Sequence, residues 1–256
     1  MKKAIVVASF GCSIKDSREK YIETIENAVK NNFKDMDFYR VFTSEIIRRK
    51  MKREEEIDVD NMKTCLEKLK SSGYTHVYVV VTHILPGFEY EKITVACHEY
   101  EEYFESIKVT RPFLDDKMGS EEIDALTSYI GSSKDEATVL VGHGTHHGSH
   151  KYYREFEVKL RSVFPELYIV NIEGDPYITD IIDELKEKNY AKVNLYPFLI
   201  VAGDHALNDI ASDEEDSVKM ILSKNGLNPN AFVTGLGADE KTIHLFLNRI
   251  NEIITI

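Results

Sequence analysis

The sequence predicts an α/β protein built from two similar doubly wound domains, each a four-stranded parallel sheet flanked by helices. Three observations predict it. Short, continuously apolar runs alternate with amphipathic segments along almost the whole chain, the pattern of parallel strands covered on both faces. Eight such runs fall into two groups of four. A stretch of the first half also recurs in the second at an offset of 116 residues, counted from Met62 to Ile178.

In chain order, residues 4–9, 37–42, 76–82 and 107–111 read as the strands of the first half. Residues 137–142, 167–172, 192–197 and 232–235 read as those of the second. The helical periodicity is clearest over 21–33, 60–71, 152–163 and 178–188. Met62, Cys65, Leu66 and Leu69 form an i, i+3, i+4, i+7 stripe, and Ile178, Ile181, Ile182 and Leu185 repeat it. Gly73 then matches Asn189, the two residue types that most readily close a helix in the left-handed conformation. Tyr74 matches Tyr190, Val77 matches Val193 and Val79 matches Leu195. At the strand ends Gly87 matches Gly203 and Glu89 matches His205.

The first strands of the halves correspond at an offset of 134, Ser9 lying against His143, so the first half carries 134 less 116, or 18, additional residues. These fall in 43–59, which holds the only dense basic run, Arg48-Arg49-Lys50-Met51-Lys52-Arg53. Glu54-Glu55-Glu56 follow at once, so the run reads as a solvated helix with internal ion pairs. The small, polar stretch 131–136 is the expected boundary. That gives domains 1–131 and 132–239, with a last helix over 240–256.

Composition narrows the function. With 256 residues, 43% hydrophobic and 30% charged, the chain is long enough for a real core and has no disordered composition. Its net charge of -12 argues against a nucleic-acid or anionic-membrane partner. No apolar run approaches the ~18 residues of a membrane span. Cys12, Cys65 and Cys97 are odd in number with no CxxC, so a disulfide framework and a thiolate zinc site are not expected, and a cytoplasmic setting is. No dinucleotide fingerprint, P-loop or nucleophile elbow is present.

In parallel α/β sheets, ligands bind beyond the carboxyl ends of the strands. Ser9, Glu89, His143 and His205 all fall at such ends, as if two domains faced each other across one cleft. Gly142-His143-Gly144-Thr145 follows a buried strand directly, and the glycines permit a sharp turn and close approach to the imidazole. His143, His146, His147 and His150 would share one face if a helix began at His143, but the glycines at 144 and 148 disfavour that helix, leaving His143 as the residue aimed at a ligand. In Ala202-Gly203-Asp204-His205-Ala206, Asp204 either orients an imidazole or caps the following helix. Two histidines and a carboxylate form a donor set for a first-row dication, with Co2+, Ni2+, Fe2+ and Zn2+ all open.

These motifs bear a resemblance. Val7-Ala8-Ser9-Phe10-Gly11, Phe42-Thr43-Ser44, the segment from His83-Ile84-Leu85-Pro86-Gly87 to Phe88-Glu89-Tyr90-Glu91-Lys92, Gly142-His143-Gly144-Thr145 and Ala202-Gly203-Asp204-His205-Ala206 fall in register along essentially the full length. In them the chain resembles the anaerobic cobalt chelatases of the CbiK type, within the class II chelatase group. The resemblance implies insertion of a divalent metal, foremost Co2+, into sirohydrochlorin, a tetrapyrrole of the oxygen-independent cobalamin route, without an organic cofactor. It also implies a tetrapyrrole cleft between two four-stranded domains and a C-terminal helix packing back on the first. His143 and His205 would be the metal-site histidines and Glu89 their acidic partner, with Ser9, Phe10, Gly11, Gly87, Gly144 and Gly203 lining the tetrapyrrole site. Cys12 stands where the family leads one to expect a small polar residue. An acidic protein that binds a polycarboxylate needs local positive potential, from helix N-termini or from Lys15, Arg18, Arg48 or Arg49.

Overall fold

A computed structural model describes every residue except 132–134, 205 and 256. The chain divides into two compact units, Met1–Asp115 with Ile243–Ile256, and Asp116–Thr242.

Unit one begins with β1 (Lys3–Ser9). Next come α1 (Lys15–Ser17), a π-helical stretch (Arg18–Glu23) and α2 (Thr24–Asn32). Then follow β2 (Asp37–Phe42), α3 (Glu45–Glu54), α4 (Met62–Ser71), β3 (His76–Val81), α5 (Phe88–Glu99) and β4 (Ser106–Val109). The sheet order is β2-β1-β3-β4, all parallel. Helix α4 forms where the apolar stripe predicts it, and Met62, Cys65, Leu66 and Leu69 are all buried against β1 and β3 side chains. Burial stabilises by about 1.5–3 kcal/mol for each large aliphatic side chain. Asn61 starts the helix by accepting the Thr64 amide at 2.9 Å. The basic run is indeed a solvated helix: Arg49 pairs with Glu45, Arg53 with Glu54 and Lys52 with Asp58, while Met51 alone anchors α3 in the core.

Unit two contains α6 (Ser120–Leu126), β5 (Glu136–Gly144), α7 (Lys151–Arg161), β6 (Leu167–Glu173), α8 (Ile182–Glu187), β7 (Lys192–Pro197), α9 (Val218–Lys224) and β8 (Pro229–Ala231). Its order, β6-β5-β7-β8, repeats the topology of unit one, again all parallel. The repeat read from the sequence reappears in the backbone. The bounds of β3 and β7 differ by the same 116 residues, and Gly73 (φ 74°) and Asn189 (φ 52°) both take the left-handed conformation. Helix α10 (Glu240–Ile254) is the last element, and from Ile243 it belongs to unit one. Its Phe246, Arg249 and Ile250 are fully buried, and Arg249 donates to the carbonyls of Pro112 and Phe113.

Four expectations shift. The last strand is Pro229–Ala231 rather than 232–235, because Phe232 turns out to stack on Tyr196 with centroids 4.4 Å apart, and the Gly235 backbone packs against Ile200 and Ala202. The edge strand β4 lies one to two residues earlier than 107–111. The boundary falls at Asp115, before the expected stretch, of which 132–134 lie outside the described residues. The residues just before that stretch are tied into unit two, where Tyr129 donates to the carbonyls of Pro197 and Thr234, and Gly131 to the Tyr196 hydroxyl.

The fourth shift is one of register. Ala8 pairs with Val81 and Val141 with Pro197, so the sheets equate Ser9 with Gly142 and Phe10 with His143. The sequence alignment of Ser9 with His143 was one residue out, and in a strand one residue exchanges the two faces.

Candidate active site at the strand ends

At the carboxyl end of the unit-one sheet, the Ser9 and Phe10 carbonyls accept the amides of Thr43 and Ser44 at 2.9 and 3.1 Å, tying β1 to the segment after β2. Gly11 turns the chain with φ +105°, and a Cβ there would press on the Phe42 ring at 2.9 Å. Ser44 caps α3 through the Ile47 amide. Ser9 points inward: it is 3% exposed, and its hydroxyl accepts that of Thr82 at 2.9 Å. Phe10, one residue on, is half exposed, as is Phe88 at the start of α5. Between β3 and α5, the Thr43 hydroxyl lies 3.3 Å from His83 Nε2. Burial lowers the His83 pKa to about 4, so the imidazole is neutral near pH 7. Gly87 occupies the N-cap of α5, and Glu89, in its first turn, pairs with Lys92.

Arg18 is not available to a ligand. It is 3% exposed, grips Glu55 with two nitrogens and donates to the Cys12 carbonyl at 3.1 Å. That contact fixes the loop after Gly11, and burial pushes the Cys12 thiol pKa up, away from reactivity. Arg48 spends its Nε on the Val59 carbonyl, and Arg49 pairs with Glu45.

At the matching end of unit two, β5 runs two residues further than expected and carries His143 on the strand itself. Gly144 pairs with Glu173 in the ladder and has φ +85°; a Cβ on it would lie 1.6 Å from the Glu173 carbonyl oxygen. Only glycine permits that approach. Its consequence is chemical, because it places Glu173 Oε2 3.9 Å from His143 Nδ1, with both side chains substantially exposed. Two of the neighbouring histidines serve local structure: His147 Nδ1 accepts the Ser149 amide, and His150 bridges the Thr145 amide and the Asp175 carbonyl. No group of three or more His, Cys, Asp or Glu residues suited to a metal occurs among the described residues. The His205 position lies outside them. Nearby, the Gly203 carbonyl accepts the Leu207 amide, and Asp204 accepts the Asn208 side chain.

The structure therefore brings Glu173, not a residue singled out in the sequence, to His143, and it brings His83 into the electrostatic field of Glu89. Both additions had a signal. Glu173 ends its strand, but the sequence reading stopped that strand at residue 172. His83 directly follows an apolar run, yet its repeat equivalent is Leu199, so the repeat did not single it out.

Each unit has a parallel sheet of order 2-1-3-4 with an imidazole and a carboxylate near its carboxyl end, and this is the fold of solved chelatases. SirB from Bacillus subtilis, solved with Fe3+, aligns with a TM-score of 0.68 at 17% identity, covering 98% of this chain and 95% of that one. The sirohydrochlorin chelatase SirB from Bacillus subtilis subspecies spizizenii, in complex with cobalt, aligns with a TM-score of 0.62 over the same shares, also at 17% identity. In sequence, the family described as cobalt chelatase (CbiK) matches residues 3–255, and the chain belongs to that family. A sirohydrochlorin cobaltochelatase of Salmonella typhimurium is 32% identical over 254 residues, 98% of this chain and 96% of that protein. The sirohydrochlorin cobaltochelatase CbiKC of Nitratidesulfovibrio vulgaris is 29% identical over 262 residues, 99% of this chain and 91% of that protein.

Proposed function

We propose that this chain inserts a divalent metal ion, Co2+, into sirohydrochlorin in cobalamin biosynthesis. Family membership over residues 3–255 carries the reading, and the exposed His143–Glu173 pair at the end of β5 and β6 supports it. Insertion requires the ion to shed water and the ring to lose its pyrrole N–H protons. An imidazole suits the first task, because a neutral ring nitrogen binds a borderline dication and an adjacent carboxylate offsets its charge. His143 and His205 are the proposed metal-site histidines, with Glu173 beside His143. Glu89 is the catalytic carboxylate of unit one, and a positioned base contributes about 10²–10⁴-fold.

Phe10, Gly11, Gly87, Gly144 and Gly203 remain the proposed surroundings of the tetrapyrrole. Phe10 suits the flat ring best, being an exposed aromatic at the register position of His143. Gly11 and Gly144 also serve the backbone itself. The N-termini of α3 and α5 are the proposed source of positive potential for the substrate carboxylates, since Glu55 already holds Arg18. A cytoplasmic setting fits the three free, buried cysteines. No described helix is long and apolar enough to cross a membrane.

Anaerobic turnover of sirohydrochlorin with Co2+, Fe2+ and Ni2+ at matched free-ion concentration tests the reading. Multiple turnovers, fastest with Co2+, are expected. One equivalent bound without turnover would instead make the protein a carrier.

A further inference from the structure

Among the described residues, two buried side-chain atoms without a hydrogen-bond partner come from one segment: His83 Nδ1 and Glu89 Oε2. Such atoms are uncommon, because a buried polar group without a partner forfeits its hydration for nothing. Neither side chain is loosely held. The Thr43 hydroxyl engages the other ring nitrogen of His83 at 3.3 Å. The main chain there is pinned, the Phe113 amide donating to the His83 carbonyl at 2.8 Å and the Leu114 amide to the Ile84 carbonyl at 2.7 Å. Glu89 is fixed through its other oxygen, Oε1, by Lys92. The imidazole and the carboxylate interact electrostatically, yet burial keeps the ring uncharged, so the two do not close into an ion pair.

The chemistry of the vacant atoms selects what they receive. A dication fits poorly, since the Lys92 ammonium already sits on the carboxylate. A neutral N–H donor fits well. It brings no charge against Lys92, and it satisfies a carboxylate oxygen in a dry setting, where such bonds are strongest.

We propose that His83 and Glu89 form an acceptor edge that recognises the ring N–H groups of the metal-free tetrapyrrole. The inference rests on the reading of the chain as a sirohydrochlorin chelatase. It adds to that reading a means of telling substrate from product, because the metallated ring has lost the N–H groups and leaves both atoms without a donor.

The test is a binding experiment without free metal. Dissociation constants of the whole protein are measured anaerobically for sirohydrochlorin and for cobalt-sirohydrochlorin by fluorescence quenching. The wild type should prefer the metal-free ring by about tenfold, the usual scale of one hydrogen bond to a charged group. His83→Ala should lose that preference by weakening only the metal-free ring. His83→Asn, which keeps an acceptor near the Nδ1 position, should recover part of it and serves if the alanine variant does not fold. Equal weakening for both rings would make His83 a structural residue and overturn the inference, as would a preference unaltered in both variants. Wild-type turnover with Co2+ is measured alongside. Turnover without ring discrimination overturns the acceptor edge alone, and no turnover removes the reading beneath it.

Discussion

The two units carry the same topology to opposite chemical ends. In unit one, the histidine after β3 is enclosed, held by a threonine hydroxyl and uncharged near neutral pH. In unit two, the histidine at the end of β5 stands exposed beside a carboxylate. The exposed end has a local cause. Strand β5 continues through Gly144, whose missing side chain lets β6 come close and brings Glu173 alongside, whereas β1 stops at Ser9 and locks its side chain onto Thr82. Duplicated scaffolds thus diverge at strand ends, where one more ladder pair in unit two sets Glu173 beside an exposed imidazole.

The largest expected effect separates the two ends directly. His143→Ala should lower turnover by about 10²–10⁴-fold while the melting temperature barely moves, since the ring is exposed; wild-type turnover would relocate the chemistry to unit one. Gly144→Ala attacks the local cause at the exposed end. It should destabilise by at least about 1–3 kcal/mol, read as a lower denaturant midpoint, and a wild-type midpoint would show that β6 yields freely. Third, Glu173→Gln should weaken Co2+ binding about 10–100-fold in a direct titration. Glu89→Gln should weaken it less, and the reverse order would restore Glu89 as the metal ligand that the sequence favoured.

Acidification probes the enclosed histidine. The folded pKa of His83 is lowered to about 4 from an unfolded value near 6.5. As pH falls through that window the unfolded chain gains a proton that the folded one refuses, so stability drops. His83→Asn should therefore lose less stability than the wild type between pH 6.5 and 4; parallel losses would mean that the ring is open to water. The smallest effect is expected at Ser9. Ser9→Ala should cost about 1 kcal/mol by depriving Thr82 of its acceptor, with turnover within twofold, and a large kinetic loss would turn Ser9 back toward the ligand.

Much of the fold was legible because parallel strands buried on both faces are continuously apolar. The helix stripe at Met62 and its copy at Ile178 marked the duplication, and Gly73 and Asn189 announced their own backbone conformation. What escaped was a matter of single residues. Gaps in a strand alignment carry no marker, so the one-residue slip that set Ser9 against His143 became visible only in the ladder pairs. The Glu173 carboxylate was missed because polar residues ending a strand look like loop. His83 was missed because partnership and enclosure are three-dimensional facts. The His146, His147 and His150 spacing mimicked a ligand set, yet the described contacts of His147 and His150 serve the loop before α7 and tie it to Asp175.

Unit one is discontinuous along the chain, and this bears on the order of its assembly. A ribosome delivers residues 1–115 before 116–242, and only then Phe246, Arg249 and Ile250, which are buried and belong to the first unit. Unit two is contiguous, so all of its residues emerge before Phe246, Arg249 and Ile250 do. Domains made first usually fold first, but here the earlier unit waits for residues that follow the later one. During that interval the Pro112 and Phe113 carbonyls lack the guanidinium that later caps them, and the nascent first unit is the stretch a chaperone or protease would meet open.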